Sequence, residues 1–167
     1  AGIKHITIPW EILLKYIEPA MTTKPVKPPV DYIVSSFSYT GEPEGNFCTL
    51  KFSGNLVILK NPSDGWTTIK LWPSSQVFVS DVSFNGKPVN VYSSDGNYQI
   101  ITNEQGSFTI EGKLQIRLYG ENLRFTPIPN TSSVLKLKLP KDYQISSSYV
   151  STIKVNHTVD KTEAELV

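Results

Sequence analysis

The sequence predicts an all-β fold, a two-sheet antiparallel β-sandwich of immunoglobulin-like or jelly-roll-like type, with one short helix at its N-terminal end. Three observations carry this. From Asp31 onward the apolar residues recur with a period of two, the period at which strand side chains return to one face. Turn-forming residues interrupt the alternation roughly every 8–12 positions, the spacing of sandwiches and barrels. No helical period alternates with the strand patterns, which argues against a parallel α/β sheet.

The first element is the exception. In "IPWEILLKYIEP", Trp10, Leu13, Leu14 and Ile17 fall at i, i+3, i+4 and i+7, one apolar face of a helix. Pro9 suits the first helical turn and Pro19 ends the helix, because proline lacks an N–H that only the first turn can spare. A helix of about ten residues is not stable alone in water. Its apolar face is therefore expected to dock, on this chain's own sheet or on a partner. The segment "AGIKHITI" before it reads as a short strand, and residues 19–30, with Pro19, Pro25, Pro28 and Pro29, read as an extended tether. Residues 1–30 are thus expected to form an appendage packing on a β-sandwich domain of residues 31–167.

Within that domain, "DYIVSSFSYT" places Ile33, Phe37 and Tyr39 on one face, and "FCTLKFS" places Cys48, Leu50 and Phe52 on one face. "NLVILK" is a continuous apolar run, a candidate buried strand. "GWTTIKLW" sets Trp66 opposite Ile69 and Leu71. Asn85-Gly86 and Asp95-Gly96 mark two hairpins, since a type I′ turn needs two residues with positive φ. "SFTIEGKLQIRL" points Phe108, Ile110, Leu114, Ile116 and Leu118 one way, with Gly112 at a bulge or a close backbone approach. "VLKLKL" sets Leu135, Leu137 and Leu139 against Lys136 and Lys138. "YQIS" and "YVSTIKVNHTV" are the last strand candidates, and the ending "DKTEAELV" carries no turn or stop signal, as in a piece of a longer chain.

Composition narrows the function. A chain of 167 residues suits one domain, or one with a short appendage. Charged residues make up 19%, below the roughly 25% of ordinary soluble domains. Ser, Thr and Asn carry much of the polar surface, as in many secreted β domains. The net charge is +1 and the lysines stand singly, so the basic stripe of a nucleic-acid binder is missing. No run approaches the ~18–20 apolar residues of a membrane-spanning helix. The single cysteine, Cys48, excludes an internal disulfide and reads as a small buried hydrophobe.

No catalytic constellation emerges. The two histidines, His5 and His157, lie at opposite ends of the chain, and no G-x-S-x-G elbow is present. With one cysteine, no standard zinc site forms without carboxylates, and no EF-hand spacing is found. A calcium ion held by loop carbonyls leaves no trace in a sequence. Glu42, Glu44, Glu104, Glu111 and Glu121 are glycosidase candidates by identity only, with a solvated turn the simpler reading for Glu42 and Glu44. No phosphate-binding loop is present, and no cofactor is expected. Trp66, Trp72, Tyr92 and Tyr98 are the candidates for stacking on sugar rings, with core or rim packing the simpler reading because tryptophan is mostly buried in small sandwiches. Asn130 and Asn156 open N-x-[ST] sequons, a pattern frequent by chance in a chain rich in Ser and Thr.

The order "DGWTTIKLW", "VSDVSFNGKPVNVY", "DGNYQI", "GSFTIEGKLQIRL" resembles β-sandwich modules of large, mostly uncharacterised bacterial envelope proteins. "FTPIPNTSSVLKLKLPKDYQI" and the proline-linked front helix are similar to what those modules carry. The resemblance implies an extracytoplasmic, non-enzymatic module and names no ligand. The expected function is a non-catalytic interaction or structural module of a cell-envelope or secreted protein, meeting a protein partner or the rest of a larger chain. The alternatives are a carbohydrate-binding module that takes polysaccharide, and a self-assembling subunit that adds "AGIKHITI" as a strand to a neighbour's sheet.

Overall fold

The computed structural model describes residues 27–120, 122–130, 132–140, 153–157 and 161–166. The expected N-terminal helix with Trp10, Leu13, Leu14 and Ile17, the strand "AGIKHITI", most of the tether and "YQIS" lie outside them. Among the described residues eleven strands run in chain order: β1 (Tyr32–Glu44), β2 (Phe47–Ile58), β3 (Thr67–Pro73), β4 (Val77–Phe84), β5 (Lys87–Pro88), β6 (Tyr92–Ser94), β7 (Asn97–Thr102), β8 (Gly106–Arg117), β9 (Ser132–Pro140), β10 (Ile153–His157) and β11 (Lys161–Leu166). A 3-10 turn, Pro62–Asp64, stands between β2 and β3.

The strands form two sheets. The larger has eight strands in the order β10-β11-β9-β1-β2-β8-β4-β5, and the smaller has three, β3-β7-β6. The all-β class and the two sheets agree with the sequence pattern. The purely antiparallel expectation needs correction, because β1 and β9 pair in parallel, Ser36 with Ser132 through Gly41 with Leu137. Parallel neighbours need a long crossover, and here the chain from β2 to β8 supplies it. The eight-plus-three division also departs from the immunoglobulin and jelly-roll plans.

Both hairpin signals hold. Asn85 and Gly86 have φ of 46° and 76° between β4 and β5, and Asp95 and Gly96 have 51° and 73° between β6 and β7. The run "FCTLKFS" and the "NLVI" of "NLVILK" prove to be one 12-residue strand, β2, buried at every second position from Cys48 to Ile58. Strand β11 went unforeseen, although Thr162, Ala164 and Leu166 alternate inward with the more exposed Glu163 and Glu165.

Two bulges redirect side chains, one overturning the facing assignment of Ile33 and the other burying Trp72 beside Leu71. A register shift between Val34 and Ser36 turns Ile33 outward, 45% exposed, while Tyr32 and Val34 pack on the core in its place. In β3, Lys70 faces Gln99 but Pro73 faces Asn97. The one extra residue reverses the alternation, so Leu71 and Trp72 are buried in succession.

Trp72 is fully buried and joins the sheets. Its ring lies 4.7 Å from Phe52 and 5.7 Å from Phe37, centroid to centroid, both on the larger sheet. Tyr39 stacks on Phe37, and Phe125, from the segment between β8 and β9, meets Tyr39 edge-on at 5.0 Å. Leu50, Ile110 and Leu114 surround this aromatic centre with no exposure. Gly112 fills its expected role, since a Cβ there would stand 2.7 Å from the Phe52 ring.

Candidate functional site

The expected stacking residues divide. Trp72 is withdrawn into the core and cannot meet a sugar, because the β3 bulge turns it inward. Tyr98 is partly buried and packs against the core. Trp66 and Tyr92 are 62% and 51% exposed, and both line one pocket of about 390 Å³.

Register explains the pairing. Tyr92 on β6 lies opposite Gln99, and Ile101 on the same face of β7 lies opposite Thr68. Trp66 stands two residues before Thr68, so alternation gives it that face too. Trp66, Ile101 and Tyr92 therefore share the outer side of the small sheet. The pocket opens where the chain crosses from β5 on the larger sheet to β6 on the smaller, and Asn85, Lys87, Asn90, Asn103 and Glu104 supply its polar wall.

The backbone around this pocket is tied down. Asn85 exchanges two bonds with Thr109 of β8: its N–H donates to the Thr109 carbonyl and its Oδ1 accepts from the Thr109 N–H, each at 2.8 Å. Lys60 Nζ donates to the Trp66 carbonyl at 2.7 Å. Thr102 Oγ1 accepts from the Glu104 N–H at 3.1 Å, and Gln105 Nε2 donates to the Leu59 carbonyl at 3.1 Å. These bonds fix the frame and leave the Trp66 and Tyr92 rings facing solvent.

A second concavity, about 440 Å³, lies along β9, β11 and β10. Its walls alternate in charge across the strands, Lys136 opposite Glu165, Glu165 opposite Lys154, and Lys138 opposite Glu163. Lys136 and Glu165 approach to 3.4 Å. Three lysines alternate with two glutamates, so this face keeps a single net positive charge spread along the ladder and offers no concentrated field to an ion.

Other candidates resolve into structure. Cys48 is buried, and that burial pushes its thiol up to about 11, which makes it a poor nucleophile at neutral pH. Asn130 bonds the Ile128 carbonyl at 2.8 Å and Ser133 Oγ at 2.7 Å, so its amide nitrogen is already engaged. Among the described residues no group of three or more His, Cys, Asp or Glu side chains is placed to hold a metal. No helix among them is long and apolar enough to cross a membrane.

No protein-family model and no curated protein matches the chain. Solved structures share its fold. The M1 zinc metallopeptidase from Deinococcus radiodurans aligns with a TM-score of 0.53 at 8% identity, over 81% of this chain and 38% of the peptidase. A two-domain M1 zinc metallopeptidase mutant bound to L-tryptophan aligns at 0.54 and 8% identity, over 81% of this chain and 39% of that one. Yeast LTA4 hydrolase in complex with bestatin aligns at 0.50 and 13% identity, over 95% of this chain and 30% of the hydrolase. The chain thus spans less than two-fifths of these enzymes. Their zinc does not transfer to the described residues, which lack the donor set. The H-E-x-x-H helix of many zinc peptidases needs two histidines four positions apart, and the only histidines of this chain are His5 and His157.

Proposed function

We propose that this chain is a non-catalytic β-sandwich module of a larger cell-envelope or secreted protein, meeting a protein partner or the rest of a longer chain. One observation carries the reading most directly. The fold recurs in peptidases more than twice as long, while the two histidines of this chain, His5 and His157, lie far from the four-residue spacing of the zinc motif such enzymes commonly use. A fold shared without the reacting groups suits a supporting domain, since function resides in the site and not in the fold. The envelope or secreted setting rests on the Ser-, Thr- and Asn-rich surface and on the resemblance of its turn motifs to envelope modules.

Two measurements test the proposal. The purified chain, with and without added zinc, is screened on fluorogenic aminoacyl, peptide, ester and glycoside substrates, and no turnover above buffer is expected. Turnover that is lost on replacing Glu104 or Glu111 with Gln overturns the non-catalytic reading. Immunoblotting of fractionated source cells is expected to find the epitope in the envelope or medium, in a species larger than 18.7 kDa. A cytosolic species of that mass overturns the module assignment.

A further inference from the structure

The pocket between β5 and β6 holds two exposed aromatic rings and a polar wall. Exposed aromatics elsewhere, such as Phe47, Phe78 and Tyr119, lie outside this pocket. Trp66 and Tyr92, with Ile101 between them on the central strand, are instead gathered on one face. A volume of about 390 Å³ lies within the roughly 300–1,000 Å³ typical of small-ligand sites.

The lining selects the ligand chemistry. One lysine, Lys87, and one carboxylate, Glu104, oppose each other in charge, which disfavours a strongly ionic ligand. Asn90 and Asn103 are exposed, and neither side chain makes a hydrogen bond among the described residues. Each amide offers both a donor and an acceptor, the combination that a sugar hydroxyl matches. The C–H face of a pyranose ring carries partial positive charge and lies well against the negative face of an indole or phenol. Phe84, Val89, Ile100 and Phe108 add an apolar wall beside these amides, as suits a ligand with both C–H faces and hydroxyl edges. The frame is also set before any ligand arrives, through the Asn85–Thr109 and Lys60–Trp66 bonds, which lowers the ordering cost of binding.

We infer that this pocket binds a neutral oligosaccharide, stacked on Trp66 and Tyr92 and hydrogen-bonded by Asn90 and Asn103. The inference goes beyond the module reading and does not depend on it: a protein-binding module without glycan affinity would lose only this site.

Isothermal titration of the full chain tests it. The probes are soluble neutral hexasaccharides of glucose, xylose, mannose and N-acetylglucosamine, with the matching monosaccharides and a proline-rich peptide alongside. Saturable heat with at least one hexasaccharide is expected, weakened at least about tenfold in Trp66→Ala and in Tyr92→Ala. Phe78→Ala, which removes an exposed ring outside the pocket, is expected to leave the affinity unchanged. Weaker binding of the monosaccharide is expected, since one ring cannot span both aromatics, and equal binding overturns the oligosaccharide inference. Unchanged thermal unfolding midpoints show that the Trp66 and Tyr92 variants remain folded. No heat with any glycan, saturation by the peptide alone, or equal affinity in Trp66→Ala overturns the inference.

Discussion

Tyr39 and Trp72 meet edge to face between the two sheets, with ring centroids 6.3 Å apart and planes at 72°. Tyr39 Oη and Trp72 Nε1 are both buried without a partner that meets hydrogen-bond geometry among the described residues. Burial holds the Tyr39 hydroxyl well above its ordinary range, and nearby Trp72 and the Ile128 backbone offset only part of that. The rings stabilise this core through packing, while their polar atoms contribute little.

Removing the orphaned hydroxyl should therefore cost little. Tyr39→Phe is expected to change unfolding free energy by less than about 1 kcal/mol. Trp72→Ala, which empties the centre of the aromatic cluster, is expected to cost about 3–5 kcal/mol. Urea unfolding followed by far-UV circular dichroism measures both. A Tyr39→Phe loss as large as that of Trp72→Ala would show that the hydroxyl is bonded.

Gly54 lies on β2 under the Phe37 ring, and a Cβ there would stand 2.6 Å from two ring carbons. Gly54→Ala is expected to destabilise by about 1–3 kcal/mol through overpacking. Combining it with Phe37→Leu should cost less than the sum of the two single changes, because the smaller side chain yields space. Strict additivity in the double-mutant cycle would contradict the contact.

Cys48 makes stability depend on pH. Its thiol is raised by burial from 9.0 to about 11 in the fold, so folding favours the protonated form. That contribution is fully present below about pH 9 and is lost as pH rises toward about 11. The loss is expected to be on the order of 2 kcal/mol and to vanish in Cys48→Ala. Urea midpoints between pH 8 and 11 measure it, and thiol labelling at pH 8 should proceed only as the protein unfolds.

The Asn85 side chain anchors the β4–β5 turn to β8 through the Thr109 N–H. Asn85→Ala both orphans that donor and places alanine at a φ of 46°. A loss of about 1–3 kcal/mol is expected, with Asn85→Gly recovering the part due to φ alone. The exposed Asp81–Lys113 pair at 2.8 Å provides the contrast: Lys113→Ala is expected to change stability by less than about 1 kcal/mol.

Much was legible in the sequence because it depends on neighbouring residues alone. Alternation marked the inward faces of β2 and β8, from Cys48 to Phe52 and from Phe108 to Ile116. Asn85-Gly86 and Asp95-Gly96 marked their turns, since positive φ is a local demand. The alternation of Thr162, Ala164 and Leu166 was equally readable, but the charged residues between them masked it.

What the sequence by itself determined is therefore the strand class, the turns and the inward faces of regular strands. Only the tertiary structure decided the rest. A bulge exists relative to a partner strand, so single-strand alternation could not show that Ile33 turns out and Trp72 turns in. The parallel pairing of β1 with β9 joins segments distant in sequence and is set by packing. The placing of Trp66 and Tyr92 on one pocket likewise arises because β7 lies between β3 and β6, bringing two separately exposed rings onto one face.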